Sequence, residues 1–339
     1  MTPDRHLAAL AFVALAAAIV CAGLIVLLRP LLQRYALARP NARSSHKVPT
    51  PQGAGIAVIG ATLLIGCGFA DLTDLRLPIM LIAAVPLIAL VGLIDDLRPI
   101  PVLPRLLLQA VAVGAVVFTA SDDLRIVPAL PLAIERGLVL IAGLWFVNLV
   151  NFMDGLDLMT VVEAVPVTAT LVLVGLFGAL PLPAVLIAAA LCGALLGFAP
   201  FNRPVAKVFL GDVGSLPIGL LLGWCLLHLA WRGHMAAALL LPLYYLVDST
   251  WTLLRRMLRG EPFWAAHRTH FYQRATDNGF TVTRVISEVF VLNLVLAALA
   301  IASVELNTVA TDILLLIAGA AAVAIVLRRF SRSRILGRA

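Results

Sequence analysis

Apolar runs of about 20 residues recur along the whole chain, separated only by short charged or Pro/Gly-rich breaks, and a run of that length is what a helix needs to cross a hydrocarbon layer roughly 30 Å thick. The runs fall at roughly 7–28, 53–70, 77–94, 106–120, 137–152, 159–177, 183–199, 215–230, 235–254, 285–303 and 311–327. A backbone in hydrocarbon must satisfy its own hydrogen bonds, and the alternating pattern of a barrel strand is missing, so the spans are helices. With 62% hydrophobic and 13% charged residues among 339, the chain has too little polar surface to cover a water-soluble globule. The expected fold is all-α, a polytopic transmembrane bundle of about ten or eleven spans. The first run, Leu7 to Leu28, is longer than a signal-peptide core and ends in a basic segment, which predicts a retained span.

Charge asymmetry orients the bundle. Of 25 Lys and Arg residues, only Arg5, Arg76, Arg125, Arg136 and Arg232 fall on one side when the N-terminus is placed outside. The positive-inside rule then predicts a cytoplasmic C-terminus and cytoplasmic basic loops, in a multi-pass protein of the inner (plasma) membrane. A net charge of +7 fits an anionic leaflet and phosphate-bearing substrates; with no soluble domain to hold a duplex, nucleic acid is excluded as a partner. No repeat or long linker divides 1–339, so one integral domain is expected, with its motifs over 40–285 and a basic tail at 328–339. Proline clusters near Pro99 to Pro104, Pro128 to Pro131 and Pro181 to Pro183 fall between spans, where a missing backbone donor costs little. Cys21, Cys67, Cys192 and Cys225 lie in apolar stretches without a CxxC pair and read as small packing residues.

Five polar segments all fall in loops that the charge rule places inside. The first, PNARSSHKVPTPQGAG from Pro40 to Gly55, couples cations to a Gly/Pro turn where a backbone can approach a ligand and Lys47 can neutralise a phosphate. The second is Asp95-Asp96 at a span end; adjacent carboxylates suggest a divalent metal, a general base or both, with a simple polar helix stop as the alternative. In the third, NLVNFMDGLD, Asn148, Asn151 and Asp154 recur every third residue, which stacks them along one helix face and points to a ligand or metal site. The fourth, FNRPVAKVFLGDVGS, sets Asp212 beside backbone amides at a new span's start, with an N-cap role as the alternative. The fifth, HRTHFYQR, preceded by Asp248 and by Arg255-Arg256, has the charge to hold a diphosphate but not the ligand set for zinc. His6, His228 and His234 read as solvated or interfacial, and Glu163 and Glu288 within spans stay unassigned.

Taken together and in this order, these motifs resemble the polyprenyl-phosphate N-acetylhexosamine-1-phosphate transferases, the glycosyltransferase family 4 superfamily that includes the phospho-MurNAc-pentapeptide translocase and O-antigen-initiating enzymes. The likeness runs from about Pro40 to Tyr272, and the first and fifth motifs look most like the O-antigen branch, whose donors are UDP-linked sugars such as N-acetylfucosamine or N-acetylquinovosamine. The resemblance implies transfer of an N-acetyl amino-sugar 1-phosphate from a UDP-sugar to polyprenyl (undecaprenyl) phosphate, with release of UMP and with magnesium, manganese being an alternative. It implies that Asn151 and Asp212 carry the metal, that Asp95 deprotonates or orients the lipid phosphate with Asp96 in support, and that Lys47 neutralises phosphate. It further implies that Phe209 stacks on uracil, that Asp154 and Asp157 position the nucleotide, that Asn148 and Gly211 line the substrate site, and that Arg255, Arg256, His267, Arg268 and His270 hold the diphosphate or sugar. A homodimer is one arrangement open to such a chain. Three positions depart from the pattern: Ala54 and Leu158 stand where glycine is usual, and Tyr272 stands where other branches have His. The competing readings are a secondary transporter, which predicts two related halves and midplane charges, and a catalytically inactive relative.

Overall fold

The computed structural model describes residues 3–38, 49–261 and 267–333. Lys47, with the rest of 39–48, lies outside the described residues. The elements in chain order are α1 (Pro3–Tyr35), β1 (Leu37–Ala38), β2 (Thr50–Pro51), α2 (Gly55–Leu72), α3 (Ile79–Leu97), α4 (Val102–Phe118) and α5 (Leu132–Met153). They continue with α6 (Met159–Leu176), α7 (Leu182–Asn202), α8 (Asp212–Trp231), α9 (Met235–Leu240), α10 (Leu243–Leu258), α11 (Phe271–Asp277), α12 (Val282–Leu306) and α13 (Val309–Phe330). The chain is thus an all-α, multi-pass membrane protein. Among the described residues nine helices are long and apolar enough to cross a bilayer, and α4, at 17 residues, is a tenth, shorter apolar helix.

The span expected over 235–254 is not one helix. It breaks at Leu241-Pro242 into α9, of six residues, and α10. The cause is local: proline lacks the donor that would continue the ladder, and α10 carries Asp248, Arg255 and Arg256, too polar to lie against lipid along its length. The other proline breaks behave as the sequence suggests. Pro78, Pro101, Pro131 and Pro181 stand at the N-caps of α3, α4, α5 and α7, where a missing N–H is one the helix leaves unbonded anyway.

Helices α7 and α8 are the most buried spans and α13 the least, so α1, α2, α3, α5 and α6 pack around a central pair. Glu163, buried in α6, accepts a 2.7 Å hydrogen bond from Asn293 of α12, and Glu288 ties α12 to α13 through Arg329 at 3.0 Å. Both in-span acids therefore serve helix packing. The four cysteines are free, and three of them are buried.

Candidate active site

Hairpin-like reversals bring the ends of α3, α5, α7 and α10 and the start of α8 to one end of the bundle, and the polar motifs meet there. Asp96, at the end of α3, accepts backbone hydrogen bonds from Asp212 at 2.9 Å and Val213 at 3.1 Å, and one from the Gln52 side-chain amide. The first turn of α8 has free N–H groups and no cap of its own, so a carboxylate from another helix caps it. Two glycines make the approach possible. A Cβ on Gly92 would lie 2.2 Å from the Asp212 carbonyl oxygen, and Gly211, at φ +77°, would put one 2.5 Å from the Asp96 carboxylate.

This geometry removes the alternative reading of Asp212 as the cap of its own helix. The backbone amides beside Asp212 serve Asp96, so Asp212 is not the cap and its carboxylate turns elsewhere: Asn151 donates to Asp212 Oδ1 at 2.7 Å and to Ser215 Oγ at 2.9 Å. The charges of Asp96 and Asp95 both bear on Asp212. Asp95 itself is held on both oxygens, by the Ile100 amide at 2.6 Å and by Arg105 at 2.6 Å.

Asn148, Asn151 and Asp154 do not form one stripe. Helix α5 ends at Met153, leaving Asp154 in the turn beyond it, while the Asn148 amide is spent on Gln109 of α4 at 2.7 Å and on the Leu144 carbonyl at 2.8 Å. Asn148 therefore joins two helices on the membrane side of the site, and only Asn151 reaches Asp212. Asp154 accepts from the Thr160 hydroxyl. Burial pushes its carboxyl up to about 7, helped by the charges of Asp96 and Asp157 and opposed by Thr160.

The loop between α7 and α8 is fastened to this turn. Asp157 accepts from the Ala206 amide at 3.0 Å; Asn202, buried at the end of α7, accepts from the Leu158 amide at 2.7 Å and donates to the Val208 carbonyl at 2.9 Å. Leu158, where glycine is usual, adopts φ +61°, a left-handed conformation that costs a leucine about 1 kcal/mol and is held by the Asn202 bond. Phe209 is half-buried; its amide donates to Pro51 at 2.8 Å and its carbonyl accepts from Gly53 and Ala54, so the first and fourth motifs run side by side.

The fifth motif closes the site from the other side. Asp248, fully buried in α10, accepts from the first amides of α11, Phe271 at 3.0 Å and Tyr272 at 3.2 Å. Tyr272 Oη donates to the Phe152 carbonyl at 2.9 Å, and the His270 ring lies 6.4 Å from that of Phe152. His267 stacks on His270 at 5.0 Å. Arg268 pairs with Asp277 at 3.3 Å, and Arg256 with Glu261 at 2.8 Å; Arg255 lies on the same last turn of α10, close enough to Arg259 and Arg274 to feel their charge. Sequence reading missed Gln52, Arg105, Thr160 and Asn202 as parts of this site and left Asp248 without a role. Gln52 and Asn202 lie inside quoted motifs, but nothing in one dimension reveals whose backbone they bind.

Among the described residues no three His, Cys, Asp or Glu side chains gather into a ready metal site. The set around Asp212, one carboxylate with a neighbouring amide and the negative charge of Asp95 and Asp96, suits a hard cation that completes its shell with water and phosphate oxygens.

The profile of glycosyl transferase family 4 matches residues 78–230. A decaprenyl-phosphate N-acetylglucosaminephosphotransferase of Mycobacterium tuberculosis is 28% identical, covering 94% of this chain and 90% of that protein. A phospho-N-acetylmuramoyl-pentapeptide-transferase of Enterococcus faecalis is 30% identical over 62% of this chain and 70% of its own length.

Proposed function

The chain belongs to glycosyl transferase family 4, and from that premise we propose that it transfers an N-acetyl amino-sugar 1-phosphate from a UDP-sugar to polyprenyl phosphate on the cytoplasmic side of the inner membrane. The product would be a polyprenyl-diphospho-sugar that starts an envelope polysaccharide of the O-antigen kind, with UMP released. The observation that carries this reading is the 2.7 Å contact between Asn151 and Asp212, two residues 61 positions apart, beside the acidic pair at the end of α3.

An oxygen of the lipid phosphate attacks the sugar-bearing phosphorus, and the bond from that phosphorus to the UMP oxygen breaks. A phosphate monoester has a second pKa near 6, so most of the acceptor is dianionic at pH 7 and no protein base is required. Asp95, with both oxygens already bonded, then acts as an orienter: it fixes Arg105, whose partly exposed guanidinium meets the acceptor phosphate. Asp212 and Asn151 would hold magnesium, which would supply positive charge against the diphosphate oxygens. Asp154 and Asp157 shape the nucleotide side with Phe209, and His267, Arg268 and His270 cover the diphosphate from α11 and its leading loop. The UDP-sugar is a UDP-N-acetyl-amino or deoxyamino sugar, and discrimination among such sugars rests on a few contacts worth about 1–3 kcal/mol each.

The test is Asp212→Asn in the detergent-purified protein. UMP release from a panel of labelled UDP-sugars in the presence of undecaprenyl phosphate should fall at least a hundred-fold (~3 kcal/mol), with thermal stability close to that of the parent. Unchanged turnover removes Asp212 from the metal site; a parent protein without magnesium-dependent turnover on any sugar removes the function.

A further inference from the structure

The histidine at the head of α11 is held by a carboxylate that no catalytic motif contains. Asp248 is fully buried and accepts from five donors: Phe271 N at 3.0 Å, Tyr272 N at 3.2 Å, Tyr244 Oη at 3.2 Å, Thr252 Oγ1 at 3.3 Å and His270 Nδ1 at 3.3 Å. Two of these are backbone amides of fixed polarity, and a carboxylate can only accept, so the His270 contact is a hydrogen bond only when Nδ1 carries the hydrogen. The neutral ring then has its lone pair on Nε2, and the protonated ring presents Nε2–H. Either way the state of the ring's other nitrogen, Nε2, is defined, as it is where a carboxylate fixes a histidine that serves a ligand.

Ring packing fixes the plane as the carboxylate fixes the edge. His270 is 2% exposed, stacked on His267 at 5.0 Å and tilted against Phe152 at 6.4 Å and Tyr272 at 5.8 Å. The same carboxylate holds the first two amides of α11, so the ring and the helix that carries it are aligned by one group. A cap alone requires neither Nδ1 nor the histidine stack.

The geometry points to Asp248 as a positioning residue for the transfer reaction: it selects the Nδ1–H tautomer of His270 and aims Nε2 at the diphosphate of the nucleotide sugar. This rests on the transferase reading, and the experiment separates the two. The kcat/KM for UDP-sugar is measured for the parent, Asp248→Asn, His270→Gln and the double variant, with thermal stability alongside. Asp248→Asn should lower kcat/KM about ten-fold to a hundred-fold, and in the His270→Gln background the same change should cost less than about three-fold, because the group it acts through is gone. Costs that simply multiply would overturn the proposal and leave Asp248 a cap. Should Asp248→Asn fail to fold, the nitrogen-15 spectrum of histidine-labelled parent protein decides, with the His270→Gln spectrum assigning the signal. Nδ1-protonated His270 upholds the proposal and an Nε2-protonated neutral ring refutes it. That spectrum needs no turnover, so it stands even where the transferase reading falls.

Discussion

Gly155 is where two motifs touch, and adding one carbon there measures how firmly they are joined. A Cβ on Gly155 would lie 2.2 Å from Tyr272 Oη, 2.9 Å from Gln273 Nε2 and 3.1 Å from Tyr272 Cζ. Non-bonded heavy atoms sit at about 3.5–4 Å, so either the Tyr272 ring or the Asp154–Asp157 turn must move by roughly 1 Å. The ring has no free space, because Tyr272 is 0% exposed and its hydroxyl is bonded to the Phe152 carbonyl at 2.9 Å. Overpacking of this kind costs about 1–3 kcal/mol, and loss of the hydroxyl bond adds about 1 kcal/mol, so Gly155→Ala should destabilise by about 2–4 kcal/mol. The midpoint of thermal unfolding in detergent, followed by tryptophan fluorescence, should drop by several degrees. Turnover should fall with it, because the turn carries Asp154 and Asp157 while α11 follows directly on His270. Adding Tyr272→Phe removes the nearest atom and leaves the 2.9 Å contact to Gln273 Nε2, the end of a flexible side chain, and the 3.1 Å contact to the ring, so the double variant should recover most of the loss. A Gly155→Ala protein as stable as the parent, or a double variant no better than the single, would refute the claimed abutment.

Asp96→Asn should cost about 2–4 kcal/mol, because the new amide turns a donor toward one of the two α8 N–H groups that the carboxylate serves; hydrogen exchange at Val213 as slow as in the parent would contradict this. The pH dependence of stability should carry the mark of Asp154. Its folded carboxyl is raised to about 7 from an ordinary value near 3.9, so the folded chain binds a proton that the unfolded chain releases. The stability it contributes is full below about pH 4 and is lost as pH rises through about 7, at up to about 1.4 kcal/mol per pH unit. In protein stripped of divalent cations, Asp154→Asn should flatten that slope; parallel curves for variant and parent between about pH 4 and 8 would argue against a buried, proton-binding Asp154.

Hydropathy alone was enough for the fold class, since the length of each apolar run and the need to satisfy backbone groups in lipid admit no other answer. The polar motifs, the first through its described residues 49–55, do meet at one end of the bundle, because a helix that crosses must return and the span ends alternate in side. Residue-level partners were another matter. That Asp96 caps α8, 116 residues on, that Asn148 turns to Gln109 while Asn151 turns to Asp212, and that Asp248 holds both His270 and α11 depend on how distant helices cross. The same holds for Leu158, whose left-handed backbone is held by Asn202 from another helix. Periodicity and hydropathy are local quantities summed along one segment, whereas the choice of acceptor for an unbonded helix-end amide is made by whichever carboxylate the packing brings within about 3 Å. The chain's letters therefore decided which solvent it lives in and which residues are polar at the ends of its spans; only the folded bundle decided which of those residues face each other.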